Sequence, residues 1–219
     1  IRHRLSGRFL FLADTSPPAV GKEGMMGESL TLEHKQFLLR LARKTIENYL
    51  KDGSTIKAPR ADRILTEKRG AFVTVRVGGV LRGCIGYPLP HKPLVETIID
   101  VAVMAVSQDY RFTPLDIEEL ARTEIEISVL SLPRPIQNGK EIEVGRHGII
   151  VSKGYHKGLL LPQVPEEHSW DRENYLRHGC LKAGLDENEW KKGAHIEIFT
   201  ADVFSEKSLS ARNSPDGNS

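Results

Sequence analysis

The spacing of apolar residues changes period several times along the chain. Phe37, Leu38, Leu41, Ala42, Thr45, Ile46 and Tyr49 recur at helical spacing, behind Thr31 as N-cap and ahead of Gly53 as a stop. The β-branched run Ala71–Val77, the Gly78-Gly79 pair and a second run Val80–Pro88 predict a β-hairpin. Leu94 to Val106 is apolar on nearly every side, so a buried helix is expected, with Pro93 in its first turn. Thr113-Pro114-Leu115-Asp116 predicts a capping box opening a short helix to Ala121. Thr123–Leu130 then alternates cleanly as a strand, with Glu124 and Glu126 opposite Ile125, Ile127 and Val129.

Pro133-Arg134-Pro135 marks a linker, and beyond it the plan repeats. Glu141–Val144 is a short strand candidate. Gly148–Ser152 and Lys157–Leu161 flank a Gly154-Tyr155-His156 turn. Ser169 is the expected cap of a helix that buries Leu176 and Cys180 and ends at Gly184. Ala194–Phe199 is the closing strand. Arg82-Gly83 in the first hairpin has a counterpart in Lys157-Gly158 of the second. The expected organisation is an N-terminal extension over 1–29, a domain over 30–205 with sub-structures at about 30–132 and 133–205, and a disordered tail over 206–219. The fold class is α+β, as two internally duplicated β-rich halves with helices.

Composition narrows the classes of function. The chain has 219 residues, 31 basic and 29 acidic, for a net charge of +2. That balance, with 6% aromatic residues, leaves no nucleic-acid footprint. Two cysteines far apart in sequence make no disulfide framework and favour a reducing, cytoplasmic setting. No apolar run approaches the roughly 20 residues of a membrane helix. The histidines show no metal-ligand spacing, and no phosphate-binding glycine loop follows a strand, so no metal or cofactor is expected.

The least generic stretch is Val80–Pro88. Glycines inside a strand weaken it unless a bulge, a ligand or another backbone comes close. Gly83 and Gly86 bracket a lone thiol, Cys84, beside a cation, Arg82. Read as one strand, Arg82 and Cys84 share a face. A strict two-residue turn sets Cys84 opposite Val73, among valines; a one-residue bulge reverses that assignment. Asp109, Arg111, Glu124 and Glu126 add charge late in the first half, and Gln163, after Pro162, is a polar anchor candidate at a cleft between the halves.

Leu81-Arg82-Gly83-Cys84-Ile85-Gly86 resembles the signature hexapeptide of the AMMECR family, named for the AMME-syndrome candidate region. Asp109–Leu115, Ile127–Ser131, Gly158–Val164 and Cys180–Leu185 match further motifs of that family in order, over about Leu30 to Glu206. Tyr110 departs from the pattern, which has proline there. The resemblance implies a stand-alone microbial-type member with two strand-rich halves sharing one curved, barrel-like, mostly antiparallel sheet. It also implies a cleft and a link with Memo-like and radical-SAM proteins, but supplies no reaction.

Two functions from different classes follow, and whether the chain is an enzyme is left undecided. One is a non-catalytic module that binds a small anionic ligand or a protein at Arg82-Gly83-Cys84, with RNA as a further alternative. The other is an enzyme with Cys84 as nucleophile, its thiolate favoured by Arg82 and assisted by Asp109, Arg111 or Glu126.

Overall fold

The computed structural model describes residues 29–212; the expected extension over 1–29 lies almost wholly outside them, as do residues 213–219. The described chain forms two compact units, one from residues 29–127 and 204–212, the other from 128–203.

The first unit begins with α1, Leu32–Asp52. Its N-cap is Thr31, whose hydroxyl accepts the His34 N–H while its own N–H donates to His34 Nδ1, and its C-cap Gly53 adopts a left-handed φ of 75°. A short turn of helix, α2 (Arg63–Thr66), follows the stretch that contains Pro59. The hairpin is β1 (Ala71–Val77) and β2 (Val80–Tyr87), joined by Gly78 and Gly79, both at positive φ. Next comes α3, Leu94–Ser107, with Pro93 as its N-cap. It packs on α1 and on both hairpin strands, which is why Val101, Ala102 and Ile98 are sealed from solvent. Burying a side chain the size of Val101 or Ile98 is worth about 1.5–3 kcal/mol.

A 3-10 turn, Ile117–Arg122, leads into β3, Thr123–Leu130. Its capping box uses Asp116 and Glu119, not Thr113. Asp116 has the extended backbone and the free carboxylate that an N-cap needs, and Glu119 sits at the reciprocal position.

Pro133-Arg134-Pro135 is more than a linker: Arg134–Pro135 forms β4, pairing antiparallel with β7, His195–Phe199. Glu141–Val144 is not a strand. Asn138 caps a 3-10 turn over Gly139–Glu141 instead, with Glu141 closing the reciprocal bond. The second hairpin is β5 (Gly148–Lys153) and β6 (His156–Leu160). A short helix α4, Val164–Glu167, precedes α5, Arg172–Lys182, which packs on β5 and β6. Asp171, rather than Ser169, caps α5; Ser169 has a φ of 53°, incompatible with an N-cap's extended backbone. Ile142, Ile149, Val151, Tyr175, Leu176 and Cys180 form this unit's core.

The last elements are β8 (Ala201–Ser205) and α6 (Glu206–Arg212). The tail expected to be disordered from residue 206 therefore starts as a helix. Glu206 anchors it: its carboxylate takes the Arg43 guanidinium in a two-pronged ion pair and accepts the Ile125 N–H at 2.9 Å.

The strands form two four-stranded sheets, in the orders β2-β1-β3-β8 and β4-β7-β5-β6. The α+β class stands, but the single curved, barrel-like sheet does not. Each hairpin seeds its own sheet, and among the described residues two edges remain on each.

Candidate functional site

The register of β1 against β2 decides what β2 presents. Val77 pairs with Val80 and Arg76 with Leu81, but Val75 pairs with Gly83 and Thr74 with Cys84. Arg82 is the extra residue of a β-bulge. The bulge moves Cys84 from a partnership with Val73 to one with Thr74.

Gly83 lies against α3. A Cβ there would stand 1.9 Å from the Ala105 carbonyl oxygen, so no side chain fits. Cys84, the next residue, therefore projects from the opposite face, where Thr74 donates its hydroxyl to the sulfur at 3.2 Å. Gly86 serves packing too: a Cβ on it would meet the Phe72 ring at 2.3 Å.

Cys84 and Thr74 form a non-hydrogen-bonded pair, because the Cys84 main chain bonds elsewhere. Its N–H donates to Asp109 Oδ2 at 2.9 Å, and its carbonyl accepts from Arg111 Nη2 at 3.4 Å. Arg111 also grips Asp109 with two prongs, Nε to Oδ1 at 2.8 Å and Nη2 to Oδ2 at 2.7 Å. Asp109 is only 6% exposed. Burial by itself would raise its carboxyl, but Arg111 and the N–H groups of Cys84 and Arg111 outweigh that and hold it below the usual carboxylate range.

Burial pushes the Cys84 thiol up. Thr74 and Arg111 favour the thiolate, while Asp109 and Glu126 oppose it, and the net shift is upward. The cation beside the thiol is thus Arg111, not Arg82. Arg82 turns to Glu119, with Nε to Oε1 at 3.0 Å and Nη2 to Oε2 at 2.8 Å, and gives Nη1 to the Thr113 carbonyl at 3.1 Å. That fork, joined by the Asp116 N–H, lowers the Glu119 carboxyl to about 2.

The predicted site residues thus separate. Cys84, Asp109, Arg111 and Glu126 come together, and Arg82 is tied to Glu119. Glu124 accepts a bond from Ser205 at 3.1 Å. Gln163 belongs to the second unit, where it precedes α4 and lines a hollow of about 540 Å³ with Arg146, Pro162 and Thr200. Sequence reasoning missed Thr74 and Glu119. The alternative bulged register, with Thr74 opposite Cys84, was the signal for the first; the Asp116-x-x-Glu119 spacing was the signal for the second. It also missed a groove of about 690 Å³ lined by Tyr87, Asp100, Met104 and Gln108. Among the described residues, no group of three or more His, Cys, Asp or Glu side chains is placed to hold a metal ion, and no helix is long and apolar enough to cross a membrane.

A glycine-thinned strand clipped by an Asp–Arg pair, in an α+β frame of two small sheets, defines the class. The chain belongs to the AMMECR1 family, whose profile matches residues 39–204. It is 48% identical to a Methanopyrus kandleri protein over 192 residues, covering 83% of this chain and 93% of that one. It is 46% identical to a Thermococcus gammatolerans protein, with coverages of 80% and 91%. It is also similar to the crystal structure of an uncharacterized protein from Pyrococcus horikoshii, with a TM-score of 0.67 and 44% identity over 80% of this chain and 92% of that one.

Proposed function

We propose that this chain is a non-catalytic binding module that meets a protein partner at β2 and the Asp109–Arg111 pair. The observation that carries this reading is the setting of Cys84: burial raises the thiol, and Arg111, the cation that acts on it among the described residues, already holds the Asp109 carboxylate. A thiolate nucleophile needs the opposite environment. A small anion would have to displace Glu119 from Arg82 or Asp109 from Arg111, which favours a protein that leaves both ion pairs formed. Both cysteines are free thiols, in keeping with a reducing compartment. The partner suggested by the family resemblance is a Memo-like or radical-SAM protein.

The same reading takes the two units as copies of one hairpin–helix–strand plan. Gly83 and Gly158 support it, each standing on the second strand of a hairpin where an added Cβ would meet the backbone of the packed helix or its C-cap, at Ala105 and at Ala183.

The test titrates purified Memo-like and radical-SAM proteins against the full chain and its Arg111→Glu variant. Binding that changes by about tenfold or more in the variant, in either direction, supports the reading. No binding, or binding indifferent to Arg111, removes it.

A further inference from the structure

We propose that loop 108–116 is a strap over the outer edge of β2, and that an extended segment of the partner adds to β2 in its place. This inference rests on the binding reading above and names the form of the partner's contact.

β2 ends its sheet order, so among the described residues one side of its main chain has no neighbouring strand. An unpaired row of N–H and C=O groups is a template for a further strand, and native edges are usually covered. Here the cover is made by side chains. The Asp109 carboxylate accepts the Cys84 N–H, and the Arg111 guanidinium donates to the Cys84 C=O. Those are the acceptor and the donor that a paired strand would present to one residue. A third tie, from the Arg82 guanidinium to the Thr113 carbonyl, holds the far end of the loop. Each of these three bonds uses a side chain on one partner.

The strap is hinged at fixed points. The Gln108 N–H donates to the Met104 carbonyl at 2.8 Å, and the Leu115 N–H to the Val106 carbonyl at 2.8 Å, with Leu115 buried. Between these points Tyr110 is 62% exposed. Opening the strap between its hinges keeps Asp109 and Arg111 paired with each other, two residues apart, so the incoming segment needs no charge. The occupant is therefore an uncharged extended peptide, recognised through its main chain.

The probe is a labelled heptapeptide with the β1 sequence Ala71–Val77, the strand that already pairs with β2, with threonine in place of Arg76 and uncharged Gly-Ser flanks for solubility. The control is the same peptide N-methylated at alternate residues. Anisotropy is read against the full chain, Arg111→Ala and Asp109→Asn, each checked for folding by circular dichroism. Loosening the strap in Arg111→Ala is expected to tighten binding about tenfold, N-methylation of the peptide to abolish it, and bound peptide to slow exchange of the Cys84 amide. Equal affinity for wild type and both folded variants, equal affinity for the N-methylated peptide, or no peptide binding at all overturns strand addition. Memo-like or radical-SAM binding that changes in Arg111→Glu without any peptide binding overturns the strand and leaves the binding reading in place; peptide binding with no affinity for either protein does the reverse.

Discussion

Thr74 donates its hydroxyl to the Cys84 sulfur across the β1–β2 pair, at 3.2 Å, in a register that exists only because Arg82 is bulged out. The contact makes the thiol a member of a polar strip with Thr74, Asp109, Arg111 and Glu126.

Alkylation rates test the state of that thiol. Because burial raises both thiols, neither Cys84 nor Cys180 is expected to show a rate plateau between pH 6 and 9. Cys84, half-buried, should react faster than the sealed Cys180. Thr74→Val removes a bond that favours the thiolate, so it should slow Cys84 further at pH 8. Mass spectrometry of iodoacetamide-treated protein reads all three, and a plateau near neutrality would restore the nucleophile.

Acid stability reports the Arg82–Glu119 fork. Glu119 falls from an ordinary 4.5 to about 2 on folding, chiefly through Arg82. A depressed carboxyl stabilises the fold above its unfolded value and loses that contribution as pH drops through the folded one. Stability should therefore decline between pH 4.5 and about 2, and Arg82→Ala should flatten that limb. Urea midpoints across this range are the measurement.

Much of this architecture is legible in residue order, and the failures are instructive. The α1, α3, hairpin and β3 segments announce themselves because each has one period and clear punctuation. The bulge does not. A shift of one position reverses every side chain on one strand, yet nothing local to Arg82 marks it. The partner of a cation is equally hidden: Glu119 is 37 residues from Arg82 in sequence, and only the folded loop brings them together. Asp109 and Arg111 were singled out as charges, but their work on the Cys84 main chain depends on β2 being a sheet edge. β8 and α6 were missed because their stability comes from long-range bonds such as Glu206 to Arg43, not from local pattern.

Helix α6 gives a stability test. Removing residues from Glu206 onward strips Arg43 of its carboxylate and the Ile125 N–H of its acceptor. Hydrogen bonds to charged groups contribute about 1.5–3 kcal/mol, so the truncated chain should lose at least that much. A Glu206→Gln variant should lose less. Denaturant unfolding with unchanged m-value checks both.

Trp170 supplies a spectroscopic handle in the second unit. Its ring is stacked between His168, at 4.7 Å, and His178, at 3.7 Å. Burial, then Arg177 and His168, lower the His178 value, so protonation is resisted in the folded state and stability should fall as pH drops below 6.5. Trp fluorescence should be quenched on acidification with a midpoint under 6.5, and His178→Gln should remove that transition.

Gly83 carries a wider lesson. The clearance between β2 and α3 at Ala105 is smaller than a methyl group, so Gly83→Ala should destabilise the fold by about 3 kcal/mol or more even if every charged residue stays in place. A hexapeptide that looks like the fingerprint of a reaction is thus, at its centre, a tolerance: the narrowest joint in the assembly, where the smallest residue is the only part that can be fitted.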